Sequence, residues 1–157
     1  MITQDLETLR QVSEPFAGAD DELKALFECL EFELRTSSFQ GVGLSAIQIN
    51  IPLRVCIIRG SKKFNLHNAK IISRQQRYTY KFEGCLSLPG ITEATTRYNL
   101  IEVHNGDGET FTVSGFDALV IQHEIDHLNG ILLIDHFRGE KRERLIENYN
   151  TLKNKGM

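Results

Sequence analysis

Downstream of Asp20, Leu23, Leu26, Phe27, Leu30 and Leu34 recur three or four positions apart, which predicts an amphipathic helix that Thr36-Ser37-Ser38 interrupts. The stretch Gly41 to Gln48 is small and glycine-containing, a loop feeding a β-prone run over Leu53-Arg54-Val55-Cys56-Ile57-Ile58 that Gly60 ends. From Lys70 to Phe82, and again from Ile91 to Val103, β-branched and aromatic residues mix without a 3.6-residue period, so both segments read as strands. Asn105-Gly106-Asp107-Gly108 then separates Leu100–Val103 from Thr110–Val113, and residues that accept positive φ between two such runs predict a hairpin. Ser114 with Asp117 three residues on suggests a capping box, and Asn129-Gly130 supplies a stop. Between them Phe116, Leu119, Val120, Ile121, Ile125 and Leu128 cover so much of the circumference that this helix is expected in the middle of the fold. The segment Glu140 to Lys153 is charged, with Leu145, Tyr149 and Leu152 at helical spacing, a surface helix.

Nothing interrupts the chain as a linker or repeat would, and 157 residues suit a single domain spanning 1–157. The formal charge of -3 lacks the basic excess that tracking a phosphate backbone requires, so nucleic acid is not an expected substrate. No apolar run approaches the roughly 20 residues that cross a bilayer, and Met1 to Arg10 lacks the basic start and apolar stretch of a signal peptide. The protein is therefore expected to stay away from membranes, where it is made. Three cysteines do not pair off. Cys29 and Cys56 stand among apolar neighbours and read as core, whereas Cys85, in Glu83-Gly84-Cys85-Leu86-Ser87, has no such setting.

The strongest chemical signal is His123-Glu124-Ile125-Asp126-His127. Histidines at i and i+4 leave one face of a helix about 6 Å apart at Cβ, which suits two imidazoles converging on a tetrahedral ion. Glu124, one step round, can reach a water held there. The bland reading makes both histidines hydrogen-bonded core residues, but it desolvates three ionisable side chains on an apolar helix for no gain.

A catalytic zinc-like centre commonly takes three protein ligands. Proteases that continue the motif to a third histidine are excluded, because Leu133 stands where that histidine is required even though Gly130 is in place. A glutamate from a later helix is a second option, and Glu147 lies twenty residues past His127, within a charged stretch where a solvated carboxylate is the ordinary outcome. Cys85 is the better candidate: a thiolate is a strong ligand, and the amides that follow it in a tight turn can face the same cavity.

Taken together, Gly41-Val42-Gly43-Leu44-Ser45-Ala46-Ile47-Gln48, Glu83-Gly84-Cys85-Leu86-Ser87 and Gln122-His123-Glu124-Ile125-Asp126-His127 resemble, in order and spacing, the three signature motifs of peptide deformylases. The resemblance runs on through Leu6 to Pro15 and Gly130 to Asp135. It implies an α+β fold, with antiparallel sheets around a central helix that carries the third motif and with helices towards both ends. It implies one divalent metal held by Cys85, His123 and His127, iron(II) being the native ion and zinc, nickel or cobalt accepted. Glu124 becomes the general acid/base, and Gln48 with the main-chain N–H of Leu86 the oxyanion hole. The substrate implied is an N-formyl-Met peptide. Gly41 and Gly43 would let its backbone approach, and Leu44, Leu119, Val120 and Leu128 are candidates for the methionine pocket, with core packing an equal reading for each of these four. The implied setting is a monomer in the cytoplasm of a bacterium or a phage-infected host. Lys141-Arg142-Glu143-Arg144 reads as a solvated face, with the ribosome surface as the other option.

Two positions depart from the family pattern. Ser45 replaces the alanine commonest in the first motif, placing a hydroxyl near the cavity, and Asn68-Ala69 stands where many relatives have Asn-Pro. Neither change removes a catalytic group.

Overall fold

The structure, a computed structural model, describes residues 1–156. A short turn of helix α1 (Leu6–Leu9) precedes the long helix α2 (Asp20–Thr36), and strands β1 (Gly43–Ser45), β2 (Val55–Arg59) and β3 (Lys63–His67) form one antiparallel sheet in that order. Strands β4 (Lys70–Gly84), β5 (Thr92–His104) and β6 (Thr110–Ser114) form a second antiparallel sheet, followed by helix α3 (Gly115–Leu128), a 3-10 turn at Leu133–His136 and helix α4 (Gly139–Asn154). The fold is α+β, as the motifs implied.

Helix α3 packs against strands of both sheets, and ten of its fourteen residues are buried. On it Ala118, Val120, Ile121, Ile125 and Leu128 meet Cys56 and Ile58 from one sheet and Ile101, Val103 and Val113 from the other. Helix α2 covers the outer side of the first sheet through Leu30 and Leu34, which pack with Leu44, Val55 and Ile57. A third apolar cluster joins Leu9, Leu88, Leu132, Ile134, Leu145 and Tyr149, tying α1 and α4 to the turn that follows β4. Each contiguous cluster is a set of side chains removed from water, at about 25 cal/mol per Å² of apolar area.

Local differences from the sequence reading have physical causes. Cys29 is exposed, not core: it lies one step, about 100°, round α2 from buried Leu30, and its apolar neighbours in sequence occupy the other face. The predicted capping box at Ser114 is absent. Ser114 is the N-cap but makes no side-chain cap bond, and the Asp117 carboxylate instead accepts the main-chain N–H groups of Ser61 at 2.7 Å and Lys62 at 3.1 Å, fastening the β2–β3 turn to α3. The stretch read as a loop over 41–48 contains edge strand β1 and a 3-10 turn at Ala46–Ile49. Strand β3 went unpredicted because Phe64 and Leu66 are its only apolar residues. The hairpin forms as expected, His104 pairing Thr110 across a turn in which Gly108 alone takes positive φ.

Candidate active site

Three segments distant in sequence converge on a cavity of about 310 Å³. Helix α3 contributes His123 and Glu124 to its lining, and His127 stands one turn further on. The cysteine arrives from the end of β4, where a turn closed by the Leu88 N–H donating to the Cys85 carbonyl at 3.0 Å holds Leu86 and Ser87 at its corner. Edge strand β1 and its 3-10 turn bring Gly43 and Gln48, with Ser45 buried between them.

Cys85 Sγ lies 3.4 Å from Nε2 of His127, and one donor atom each from Cys85, His123 and His127 falls within 4.8 Å of the others. A thiolate and an imidazole nitrogen bound to the same tetrahedral ion stand about 3.5 Å apart, from bond lengths near 2.3 and 2.0 Å. The Cys85–His127 separation is therefore the one that a shared divalent ion would impose, and the thiol and two imidazoles are the donor types such an ion takes. Burial by itself would push the Cys85 thiol up, but the imidazoles of His127 and His123 beside it bring it down to about 5, so the sulfur is a ligand-ready thiolate at neutral pH. Among the described residues this is the one cluster of three or more histidine, cysteine or carboxylate donors so placed. Glu147, the rival third ligand, is exposed on α4 and lies outside the cluster, so that option is set aside.

A buried network behind the imidazoles sets their orientation. Glu83 sits two residues before the cysteine and is 4% exposed. It accepts from His123 Nδ1 at 2.9 Å, from Thr95 Oγ1 at 2.7 Å and from the Arg97 guanidinium through both Nε and Nη2. With its Nδ1 so engaged, His123 turns Nε2 towards Cys85 and His127, the arrangement in which a carboxylate fixes a ligand's tautomer and ring. Arg97 continues to Asp126 at 2.8 Å, which also meets His136 Nε2 at 2.9 Å. Burial alone would raise Glu83, but the hydrogen bonds from Arg97 and His123 hold its carboxyl well below the usual carboxylate range.

Glu124 is 3% exposed, and burial raises its pKa above the ordinary value, against the pull of His123 and His127. The shift is in the direction a proton-transferring carboxyl needs near neutral pH. Its Oε1 lies 3.0 Å from Ser45 Oγ. Gln48, also buried, accepts the Ser45 N–H through Oε1 at 2.9 Å, which turns its Nε2 towards Ser87 Oγ at 3.1 Å and the Cys85 sulfur.

Of the residues singled out from sequence, Gly41, Gly43, Gln48, Leu86, Leu119, Val120, His123 and Glu124 line the cavity with Cys85. Leu44 and Leu128 do not: both are fully buried, Leu44 under α2 and Leu128 between the sheets, so core packing is the reading that holds for them. Sequence reasoning gave no role to Glu83, Arg97, Thr95 or Ser87. The signal was present in β5, whose inward face alternates Thr95, Arg97, Ile101, Val103, placing a cation where the period demands a core residue.

The chain is similar to known proteins along most of its length. The family model "Polypeptide deformylase" matches residues 1–143. A peptide deformylase of Aquifex aeolicus is 35% identical over 157 residues, covering 93% of this chain and 91% of its own length. The crystal structure of a peptide deformylase from Legionella pneumophila superposes with a TM-score of 0.82 at 29% identity, over 98% of this chain and 94% of that one. A peptide deformylase from Synechococcus elongatus, solved in complex with actinonin, gives 0.80 at 28% identity over 92% and 81%.

Proposed function

The chain belongs to the peptide deformylase family, metal-dependent hydrolases that remove the N-formyl group from nascent peptides, and from that premise we propose the residue roles by which it does so. Cys85, His123 and His127 hold one divalent ion, iron(II) in the native protein, with zinc, nickel or cobalt tolerated because one thiolate and two imidazoles suit all four. Such an ion supplies Lewis acidity, which activates water and polarises a carbonyl oxygen near neutral pH.

The remaining work falls to side chains and main chain of the cavity. Glu124 accepts the proton of the attacking water and later delivers it to the departing α-amine, a transfer its raised pKa suits. As the formyl carbon becomes tetrahedral, charge gathers on the formyl oxygen. Gln48 Nε2 and the Leu86 N–H donate to it without adding a second net charge. Leu119 and Val120 wall the methionine side chain, and Gly41 and Gly43 leave room for the peptide backbone. The products are formate and a free amino terminus.

This reading makes residues 1–157 one catalytic domain, a cytoplasmic monomer acting where formylated chains emerge. In α4, Lys141 pairs with Glu93 at 2.9 Å and Arg142 with Asp135 at 3.3 Å, which favours a solvated face there over a ribosome-docking one. The observation that carries the proposal is the meeting of the Cys85 sulfur with the paired imidazoles beside Glu124. Formate release from formyl-Met-Ala-Ser, by protein prepared anaerobically with iron(II) or with nickel(II), tests it. Activity is expected with both ions, and Glu124→Ala is expected to stay folded and metal-loaded but nearly inactive. No release with either ion would overturn the assignment, and a fully functional Glu124→Ala would turn the site into a non-catalytic metal or peptide-binding module.

A further inference from the structure

Ser45 ends strand β1 with its side chain wholly removed from solvent, and none of the roles assigned above uses its hydroxyl. That hydroxyl lies 3.0 Å from the main-chain carbonyl of Glu124 and 3.0 Å from Oε1 of the same residue. With its one proton the hydroxyl donates to either of these oxygens, and each bond ties Glu124 to strand β1. The other carboxylate oxygen meets the same strand at Gly43. Gly43, at the start of the same strand, faces Glu124 Oε2 so closely that a Cβ there would come within 2.6 Å of it and 2.9 Å of Val120 Cγ1. Strand β1 thus presents a donor to one oxygen and a glycine-shaped gap to the other, two residues apart and therefore on one face of the strand.

Ser45 pairs with Cys56 of β2, and its main-chain N–H holds Gln48 Oε1 at 2.9 Å. Replacing the serine by alanine removes the hydroxyl's contacts with Glu124 and its cap on the Gln48 main chain, and leaves the Ser45 N–H bond to Gln48 Oε1 in place. The consequences of the hydroxyl can therefore be read separately from those of the strand.

We propose that Ser45 is a positioning residue for deformylation, its buried hydroxyl holding the Glu124 carboxylate in the single orientation from which it exchanges a proton with the reacting groups. The proposal rests on Glu124 being the acid/base of the preceding section. Because the hydroxyl lies outside the cavity lining and its side-chain partner is Glu124 and not an ion ligand, its loss should act on turnover and spare binding. In nickel-loaded protein, Ser45→Ala is expected to lower kcat about tenfold, the scale of losing one hydrogen bond to a charged group. KM should stay within about twofold, because no substrate contact is removed. Metal content should match the wild type. In crystals of the variant, Glu124 should spread over more than one rotamer.

Equal kcat in the two proteins, or a single unchanged Glu124 rotamer in the variant, would overturn the positioning role. A fall in metal content or a rise in KM that accounts for the lost rate would make Ser45 a structural residue. An inactive wild type would instead remove the parent assignment and this one with it, so the two failures are distinguishable.

Discussion

Removing the Arg97 guanidinium should be among the most damaging single changes outside the ligands, and for two separable reasons. Arg97 and Glu83 are 5% and 4% exposed at their side chains, and Arg97 also serves Asp126. Arg97→Ala leaves a buried carboxylate with no cation, and breaking such a pair from one side costs about 3 to 5 kcal/mol. Against a total stability of about 5 to 15 kcal/mol that is a large share, and for a chain of this size it lowers Tm by roughly 6 to 20 °C. The same change loosens Glu83, whose bond to His123 Nδ1 orients the ring, so metal affinity should fall by about 10- to 100-fold. The two effects part in the double variant Arg97→Met/Glu83→Leu. Apolar replacement of a buried pair is often neutral, so stability should return to within about 1 kcal/mol of wild type, while metal affinity stays low because His123 has lost its acceptor. Urea unfolding of metal-free protein reads the first effect, because bound metal would itself add stability, and competition with a graded chelator reads the second. If Arg97→Ala unfolds within about 1 kcal/mol of wild type and holds its metal as tightly, the network is ornamental and the reasoning fails.

Further consequences can be checked alongside. Metal analysis should find no tightly bound ion in Cys85→Ala and a full complement in Glu147→Ala; the reverse result would restore the later helix as ligand donor. In Gly43→Ala the new methyl meets Glu124 Oε2 and Val120 Cγ1, so kcat should drop by about 100-fold while metal content is kept, since a displacement near 1 Å at a reacting group costs on that order. An unimpaired Gly43→Ala would show that the carboxylate has room to spare. Asp135 is held below the usual carboxylate range: burial would raise it, but the Leu132 N–H and the guanidinium groups of Arg10 and Arg142 prevail. Its folded pKa is lower than its unfolded one, so the stability it contributes is present at neutral pH and disappears as pH falls through the ordinary aspartate value, about 4, towards the folded value. Asp135→Asn should therefore lower Tm at pH 7 and flatten its fall between about pH 5 and 2, and an unchanged acid slope in melting experiments would refute the assignment.

Much of this site is local in origin, and to that extent the amino-acid order determined it. The i, i+4 histidines and the glutamate between them need only helical geometry to share a face, and an apolar circumference is enough to bury that helix. The hairpin at Asn105–Gly108 and the stop at Gly130 likewise follow from backbone preferences a few residues wide. Resemblance of three motifs then supplied partners that no periodicity could name.

Tertiary structure decided everything that depends on which face of one element meets another. It carried Cys85 across from the end of β4 to within 3.4 Å of His127, left Glu147 in solvent and turned Cys29 outwards. It sent Leu44 and Leu128 into the core while Leu119 and Val120 reached the cavity. It also assembled Glu83, Arg97, Thr95 and Asp126 into one network from two strands and a helix. Spacing along a chain fixes directions within an element, but the pairing of distant charges is set by sheet register and helix docking, where the cost of an unpaired buried charge selects the partner.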